Sequence, residues 1–273
     1  MVEGVHFKLE WGTPEALGAR ALAVNLSDIA AMGGKPTFCV VNLAIRRELE
    51  VNFFDRLYKG LAKAAAAAGV DVVGGNITRA SELTITIALL GEVETQAMRR
   101  DSARPGDAVY VTGTVGDAAL GLRILQGEIM AKGAPRNYLV KRFLSPSARV
   151  EAGRRLARIK PVAAAIDISD GLWQDLGHLL ERSKVGAEID IAALPVSPAY
   201  RAIMGDDFEL ALTGGDDYEL LFCMAGQSSD VALSRRLGLP VHRIGTITKA
   251  RRALLNGHPL PQDGGWDQLR ARS

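Results

Sequence analysis

Apolar residues recur along this chain with two periods, one typical of helices and one typical of strands. Residues 15–32 carry apolar side chains at helical spacing and end at Gly33-Gly34, which predicts an amphipathic helix with a defined stop. Residues 82–93 alternate apolar and polar positions, which predicts a strand. The same reasoning predicts a helix over 53–68 and strands over 38–45 and 70–73.

A polar, turn-rich segment over 99–107 follows these elements. We expect a domain boundary there, with one domain over 1–103 and a second over 104–273. Beyond it the pattern predicts strands over 108–111, 163–168, 185–191, 218–224, 241–247 and 253–255, and helices over 116–125, 147–158, 171–182, 198–204 and 230–237. The expected fold class is therefore α+β, with two domains that each place helices on one face of a sheet.

Composition narrows the class of protein. The 273 residues carry 33 Lys and Arg against 31 Asp and Glu, and this near balance disfavours binding to nucleic acid. Cys39 and Cys223 lie in apolar runs and are predicted to be buried, because two cysteines make neither a disulfide framework nor a zinc site. The sequence contains neither a bilayer-spanning stretch nor a signal-peptide pattern, so we expect a cytoplasmic protein without membrane contact.

Several carboxylates lie in apolar surroundings, where a charge must be paired or bind a cation. Asp28 lies within the apolar first helix. Asp167, Ser169 and Asp170 lie between a predicted buried strand and a predicted helix, at the kind of strand end where ligand-binding groups collect. Hard oxygen ligands at this spacing suit Mg²⁺. A packing role for Asp28, and helix capping by Ser169 or Asp170, are the alternatives.

Two glycine pairs are further candidates. Gly74-Gly75 follows a predicted strand and precedes Asn76, so it either brings backbone N–H groups close to a phosphate or forms a plain turn. Gly214-Gly215 precedes a pair of acids and is typical of a tight turn before a strand.

Basic residues would complete a phosphate site. Arg99, Arg100 and Arg104 cluster at the predicted domain boundary, where they either contact phosphates or form a solvated linker. Of the histidines, His178 is predicted to be a core residue, and His6 is a candidate site residue. The P-loop, dinucleotide-binding, protein-kinase and serine-hydrolase motifs are absent. The residues alone thus predict a soluble enzyme whose Mg²⁺–phosphate site is built from several carboxylates.

Taken together, six ordered motifs resemble the thiamine-monophosphate kinase family over almost the whole chain. The matching segments are VEGVHF from Val2, ALAVNLSDIAAMG from Ala21, GGNITR from Gly74, RPGDAVYVTGTVGDAALGL from Arg104, AIDISDGLWQDLGHL from Ala165 and LTGGDDYELLF from Leu212, with GWD from Gly265 after them. The resemblance implies the aminoimidazole-ribonucleotide-synthetase-like fold and a homodimer formed through the N-terminal domains. It also implies transfer of the ATP γ-phosphoryl group to thiamine monophosphate.

The resemblance further implies a role for each matching residue. Mg²⁺ would be bound by Asp28, Asn76, Asp167 and Asp170, of which the three aspartates are the expected catalytic residues. ATP would be contacted by Gly75, Asn76, Arg100 and Ser169, with Tyr58 near the nucleotide. The thiamine end of the substrate would be surrounded by His6, Asp216 and Trp266, with Asp216 offering a negative charge to the thiazolium cation.

Two departures from the family pattern lead to further expectations. Asn76 stands where the family usually has Asp, so one metal is expected to bind more weakly. The family also has an acid-rich segment before VEGVHF, whereas this sequence starts at Met1. The N-terminal domain is therefore expected to be incomplete, with an exposed sheet edge and fewer metal ligands. The alternative functions are a non-catalytic fragment that keeps ligand binding, or another ATP-using member of the superfamily such as selenophosphate synthetase, the hydrogenase-maturation protein or aminoimidazole-ribonucleotide synthetase.

Overall fold

The computed structural model describes residues 1–94, 96–161, 164–226 and 228–259. After a short 3₁₀ turn, the first part of the chain forms a small sheet with two helices packed on it. The elements are α1 (Pro14–Ala31), β1 (Lys35–Ile45), α2 (Val51–Ala68), β2 (Asp71–Arg79) and β3 (Thr84–Glu92). Strand β1 is central, parallel to β2 and antiparallel to β3.

The later part of the chain forms a seven-stranded sheet with the order β10-β9-β6-β8-β4-β7-β5. Its strands are β4 (Ala108–Thr112), β5 (Ala164–Asp167), β6 (Gly186–Ile189), β7 (Leu220–Met224), β8 (Val241–Thr248), β9 (Ala253–Leu255) and β10 (His258–Pro259). Its helices are α3 (Asp117–Leu125), α4 (Gly133–Leu144), α5 (Val150–Ala157), α6 (Leu172–Ser183), α7 (Pro198–Met204), α8 (Glu209–Thr213) and α9 (Asp230–Leu237). Neighbouring strands are antiparallel, except β6 and β9.

The seven-stranded sheet is covered on both faces, so the prediction of helices on one face is wrong for this sheet. Val109 and Val111 of β4 pack with α3 and α6, whereas Ala108 and Tyr110 pack with α5 and α9. Strands β4 and β7 are buried at every position. A continuous apolar run of this kind is typical of a strand with both faces covered.

Helix α1 joins the two sheets. Its Leu22 lies in the core between the small sheet and α2, whereas its Ala30 lies in the core shared with α5 and α9. Helix α5 packs closely against α1 at Gly153, which has no side chain. A Cβ added there would lie only 2.0 Å from the Ala30 carbonyl oxygen. Helix α1 therefore extends from the small sheet across to strand β5, where the candidate site is found.

Most predicted elements are confirmed within a few residues, but the structure also contains helices α4 and α8 and the short strand β10, which were not predicted. Helix α4 was not predicted, because only Leu139 and Phe143 along it are buried. Strand β2 continues through Gly74 and Gly75, so the predicted turn at these glycines is wrong. Both cysteines are buried and free, as predicted. In the part of the chain that the structure describes, no helix has the length and apolar character needed to cross a membrane.

Candidate active site

Two carboxylates and an arginine lie where helix α1 passes the end of strand β5. Asp167, the last residue of β5, is only 3% exposed. Its pKa is raised to about 6, mainly by burial and also by the charge of Asp28, while the Ser27 hydroxyl and the charge of Arg100 oppose this shift. Because Asp28 and Arg100 both act on Asp167, these residues share one site.

Asp28 and Arg100 come from different parts of the chain, and the charges of both act on Asp167. Asp28 is exposed on α1, yet partial desolvation raises its pKa against the lowering effect of Arg100. The backbone before Arg100 lies along β5, because the Ala165 N–H donates to the Arg99 carbonyl at 3.3 Å. The Ser183 hydroxyl donates to the Arg100 carbonyl at 2.7 Å. Both contacts fix an exposed arginine beside the carboxylates.

The loop after β5 is held by Asp175 of helix α6. One oxygen of this buried side chain accepts the backbone N–H groups of Ser169, Asp170 and Gly171, at 2.9, 3.0 and 3.2 Å. Asp175 thus satisfies three backbone N–H groups of the loop that leads into α6, including that of the N-cap residue Gly171. The suggested capping by Ser169 or Asp170 is wrong, since neither side chain caps the helix. Burial raises the pKa of Asp175 to about 7.

Asp170 lies between Asp175 and an exposed histidine. One ligand atom each from Asp170, Asp175 and His178 lies within 4.8 Å of the others. Desolvation raises the pKa of Asp170, and the charge of His178 opposes this shift. His178 is exposed on α6, so its predicted core position is wrong. It belongs to the polar face of an amphipathic helix.

Asp216 lies against the same loop. Its backbone N–H donates to the Ser169 carbonyl at 2.9 Å, and its φ of 69° is unusual for a residue other than glycine. Its Oδ1 accepts from Arg20 at 3.0 Å and from the Tyr218 hydroxyl at 2.8 Å. The negative charge implied for Asp216 is therefore shared with a neighbouring arginine.

His6 lies near Asp216. Its Nδ1 accepts the Val2 N–H at 3.1 Å. Burial lowers the pKa of His6, and the charge of Asp216 raises it. The implied substrate residues His6 and Asp216 are thus brought together, while Trp266, the third of them, lies outside the described residues.

The other residues implied for the nucleotide lie in the small sheet and the helix beside it. Gly75 and Asn76 are exposed on edge strand β2, opposite Val41 and Asn42 of β1. The Asn76 Oδ1 accepts the N–H of Ile77 at 3.0 Å. Tyr58 is half-buried in α2 against the core of the small sheet. The implied roles of these three residues remain predictions.

Three residues around the site were missed by the sequence reasoning. Arg20 and Ser27 lie in the same apolar stretch as Asp28 and are buried, so the argument applied to Asp28 could have identified them. Asp175 carried no such signal, because its place in the first turn of a helix is typical of an exposed acid.

The donor set fits a divalent cation. Asp28, Asp167 and Asp170 offer carboxylate oxygens, and each has a raised pKa that a bound cation would reverse. The buried Ser27 hydroxyl faces Asp167 and lowers the pKa of that carboxyl, so it adds a further oxygen next to this carboxylate. Several carboxylate oxygens beside an arginine are a suitable environment for Mg²⁺ bound together with phosphate groups.

Comparison with known proteins adds independent findings. Residues 1–93 match the family model "AIR synthase related protein, N-terminal domain" and residues 104–255 match its C-terminal counterpart. The chain is 38% identical to the thiamine-monophosphate kinase of Bacillus subtilis, over 90% of this chain and 78% of that protein. It is 38% identical to the Escherichia coli K12 enzyme, over 98% of this chain and 84% of that protein.

Solved structures of similar proteins superpose on this chain over most of its length. The structure described as AaThiL complexed with AMPPCP and TMP superposes with a TM-score of 0.87 at 35% identity, covering 97% of this chain and 84% of that one. The structure of thiamine monophosphate kinase from Aquifex aeolicus superposes with a TM-score of 0.86 at 35% identity, covering 95% of this chain and 87% of that one. The structure of the hydrogenase maturation protein HypE superposes with a TM-score of 0.73 at 21% identity, covering 90% of this chain and 83% of that one. This similarity shows a shared fold only.

Proposed function

This chain belongs to the thiamine-monophosphate kinase family, within the AIR synthase related proteins, and we propose that it phosphorylates thiamine monophosphate with ATP to give thiamine diphosphate and ADP. The observation that carries the proposal is the buried Asp167 at the end of β5, on which the charges of Asp28 and Arg100 act, followed directly by the loop that carries Asp170. A site rich in aspartate suits transfer between two phosphates.

The chemistry of the reaction explains why aspartates are sufficient. The attacking atom is already an anionic phosphate oxygen, so a strong general base is not needed. The barrier lies in bringing two anions together in line, and positioning and charge neutralisation lower it. Bound Mg²⁺ would supply that neutralisation, and we expect Asp28, Asp167 and Asp170 to hold it. Arg100 contacts a phosphate group in this proposal.

The substrate end of the site lies on the other side of the loop that follows β5. Asp216 contacts the Ser169 carbonyl through its backbone, so the substrate residues and the metal residues adjoin one another. His6 and Asp216 border the thiamine moiety in this proposal, and Trp266 is expected to join them. Ser169 lies between the two groups and faces the nucleotide.

The direct test is product analysis. The chain is incubated with ATP, Mg²⁺ and thiamine monophosphate, and thiamine diphosphate is quantified by chromatography. We expect product with Mg²⁺ and none after chelation by EDTA. A folded chain that forms no thiamine diphosphate with all three components would contradict the proposal.

Substitution of the aspartates tests the site itself. We expect Asp28→Asn and Asp167→Asn each to lower kcat by about 100-fold or more, because each removes a charged ligand from a site that works by charge neutralisation. Asp55→Asn, on the exposed face of α2, is the matched control and should retain the parent rate. Circular dichroism checks the fold of each variant. Parent rates in both site variants would show that these carboxylates are not the metal ligands.

A further inference from the structure

Arg20 of helix α1 is a buried cation with an unusual set of partners. Its side chain is 4% exposed. The guanidinium donates to the Phe143 carbonyl and to Asp216 Oδ1, and its central carbon lies 3.9 Å from the centre of the Phe143 ring. Burying a guanidinium is costly unless such partners offset the lost hydration. Arg20 is therefore held firmly in one position.

Asp216 is the exposed end of this arrangement. It retains 29% of its side-chain exposure, whereas Arg20 behind it and Tyr218 beside it are buried. Both donors bind the same oxygen, Oδ1. The carboxylate is thus fixed in orientation, and among the described residues no donor contacts Oδ2, which is available to accept a hydrogen bond from a ligand. The left-handed backbone at Asp216, with φ of 69°, has a conformational cost that these contacts offset.

Helix α1 carries both Arg20 and Asp28. The two residues are eight positions apart, which corresponds to about 12 Å along a helix axis. Arg20 contacts Asp216, whereas Asp28 acts on Asp167. Helix α1 therefore sets the distance between the proposed metal ligands Asp28 and Asp167 and the Asp216 carboxylate.

We propose that Arg20 is a positioning residue that orients Asp216 for the thiamine end of the substrate, an inference that rests on the proposed kinase function. Because Arg20 neutralises Asp216, the carboxylate acts less through net charge than as an oriented hydrogen-bond acceptor. Arg20 should then determine affinity for thiamine monophosphate and have little effect on ATP. A purely structural arginine would affect both substrates equally.

The test uses three variants of the full chain. Arg20→Met keeps most of the apolar stem and removes the charge and the donors. Arg20→Lys keeps the charge, and Tyr218→Phe removes the other donor to Oδ1. Arg56→Met is the control. The Arg56 Nε lies 2.8 Å from Oε1 of Glu15 in α1, in an exposed ion pair that shares no hydrogen bond with Asp216. Steady-state rates are measured against each substrate, and binding of thiamine monophosphate and of an ATP analogue by calorimetry.

We expect Arg20→Met to raise the KM for thiamine monophosphate about 10-fold or more, the range for losing a charged hydrogen bond at a binding site, with the KM for ATP within about twofold. Tyr218→Phe should raise the same KM by a smaller factor, and Arg20→Lys should restore most of the loss. Arg56→Met should change neither KM. Should Arg20→Met fail to fold, Tyr218→Phe still removes one donor to Asp216 Oδ1, and a raised KM for thiamine monophosphate with an unchanged KM for ATP would support the role of an oriented Asp216.

The outcomes separate the two proposals. If the parent chain forms no thiamine diphosphate and binds no thiamine monophosphate, both proposals fail. If the parent chain binds thiamine monophosphate without turnover, the calorimetric affinities of the variants decide on Arg20 alone. An active parent with an unchanged KM for thiamine monophosphate in Arg20→Met would overturn only the role of Arg20, as would equal losses for both substrates.

Discussion

A single oxygen of Asp175 determines the shape of the loop that carries Asp170. Three consecutive N–H groups converge on it, at 2.9, 3.0 and 3.2 Å. These N–H groups lie in the loop just before α6 begins, where the helix dipole favours a negative charge, and they would otherwise lack this acceptor. Because Asp175 satisfies them, the side chains of Ser169 and Asp170 are free to face a ligand. A buried residue without a proposed contact to substrate therefore controls the position of a proposed metal ligand.

We expect Asp175→Ala to lower the free energy of unfolding by about 1–3 kcal/mol, because it leaves buried N–H groups without an acceptor. It should also lower kcat, since Asp170 loses its fixed position. Asp190→Ala is the control: Asp190 accepts the Ala192 N–H at 2.9 Å in an exposed turn, and its loss should cost less stability and leave kcat unchanged. Urea unfolding and product formation measure both effects. Equal losses in the two variants would contradict the role given to Asp175.

Asp217 should make the stability of the folded chain depend on pH. It accepts the N–H groups of Gly116 and Ala118, and burial raises its pKa from 3.8 to about 8, with the charge of Arg142 opposing the shift. Between these values the folded chain holds a proton that the unfolded chain releases. The free energy of unfolding therefore falls as the pH rises through this range.

Asp217→Asn removes this group from the titration. Since Asp167 and Asp175 also have raised pKa values, the parent chain and the variant should both lose stability as the pH rises. We expect a smaller loss in the variant, and urea unfolding at several pH values between about 5 and 8 measures the difference. Parallel curves for the two proteins would show that Asp217 is ionised in the folded chain throughout this range.

At this scale the sequence identified the residues whose chemistry contradicts their surroundings. Asp28 and Asp167 were found because a carboxylate within an apolar run must be paired or bind a cation. The same argument could have identified Arg20 as an unusual residue but not its role, because its partner Asp216 is 196 positions away along the chain. Neither periodicity nor local motif carries such a pairing. Asp175 was missed for the opposite reason, since an acid in the first turn of a helix is common.

Among the elements, helix α1 holds the candidate site together, and its packing depends on glycines of other helices. Gly153 of α5 lies so close that an added Cβ would be 2.0 Å from the Ala30 carbonyl oxygen. Gly60 of α2 lies equally close to the other end of α1, with 1.9 Å to the Glu15 carbonyl oxygen. Any side chain at these positions must move α1 relative to β5.

We expect Gly153→Ala to lower the free energy of unfolding by about 1–3 kcal/mol through overpacking. It should also reduce kcat, because Asp28 moves relative to Asp167. Gly177→Ala is the matched control, since Gly177 lies in α6 with no atom within 4 Å of an added Cβ. There the change should stabilise the helix by about 0.5–1 kcal/mol and keep the parent rate. Similar stabilities for the two variants would mean that α1 and α5 are not closely packed.

The elements that the sequence mispredicted have physical explanations. Gly74-Gly75 was expected to form a turn, yet β2 continues through it. An added Cβ on Gly75 would lie 1.8 Å from the Val41 carbonyl oxygen, so glycine there permits close approach of two strands, next to an irregularity in their register. Helix α4 was missed because it buries little apolar surface, so the periodic signal is weak.

On the scale of the whole molecule, the two sheets differ in how they are covered. The seven-stranded sheet is buried on both faces. The three-stranded sheet is covered on one side by α1 and α2, and its edge strand β2 is exposed along its whole length. The exposed residues of this sheet include apolar side chains, namely Phe38, Val72, Val73, Ile77 and Leu90. Val72 and Ile77 pair with the core-facing Cys39 and Leu43, whereas Leu90 pairs with the exposed Phe38, so these side chains lie on both faces of the sheet around its open edge. Apolar side chains around an open strand edge form a patch that is typical of an interaction surface.

The homodimer implied by the family resemblance would cover this patch, and we expect the chain to dimerise through it. Val73 is 60% exposed and Ile77 57%, so replacing both with lysine adds charge to the patch without disturbing the core. The double variant should sediment as a monomer where the parent chain sediments as a dimer, because burying two lysines at an interface is costly. Val231→Lys, at a residue 62% exposed on α9, is the control and should leave the parent chain dimeric. Sedimentation velocity over a range of protein concentrations measures this, with circular dichroism as the check on folding. A parent chain that stays monomeric, or a double variant that stays dimeric, would show that another surface or none joins the copies.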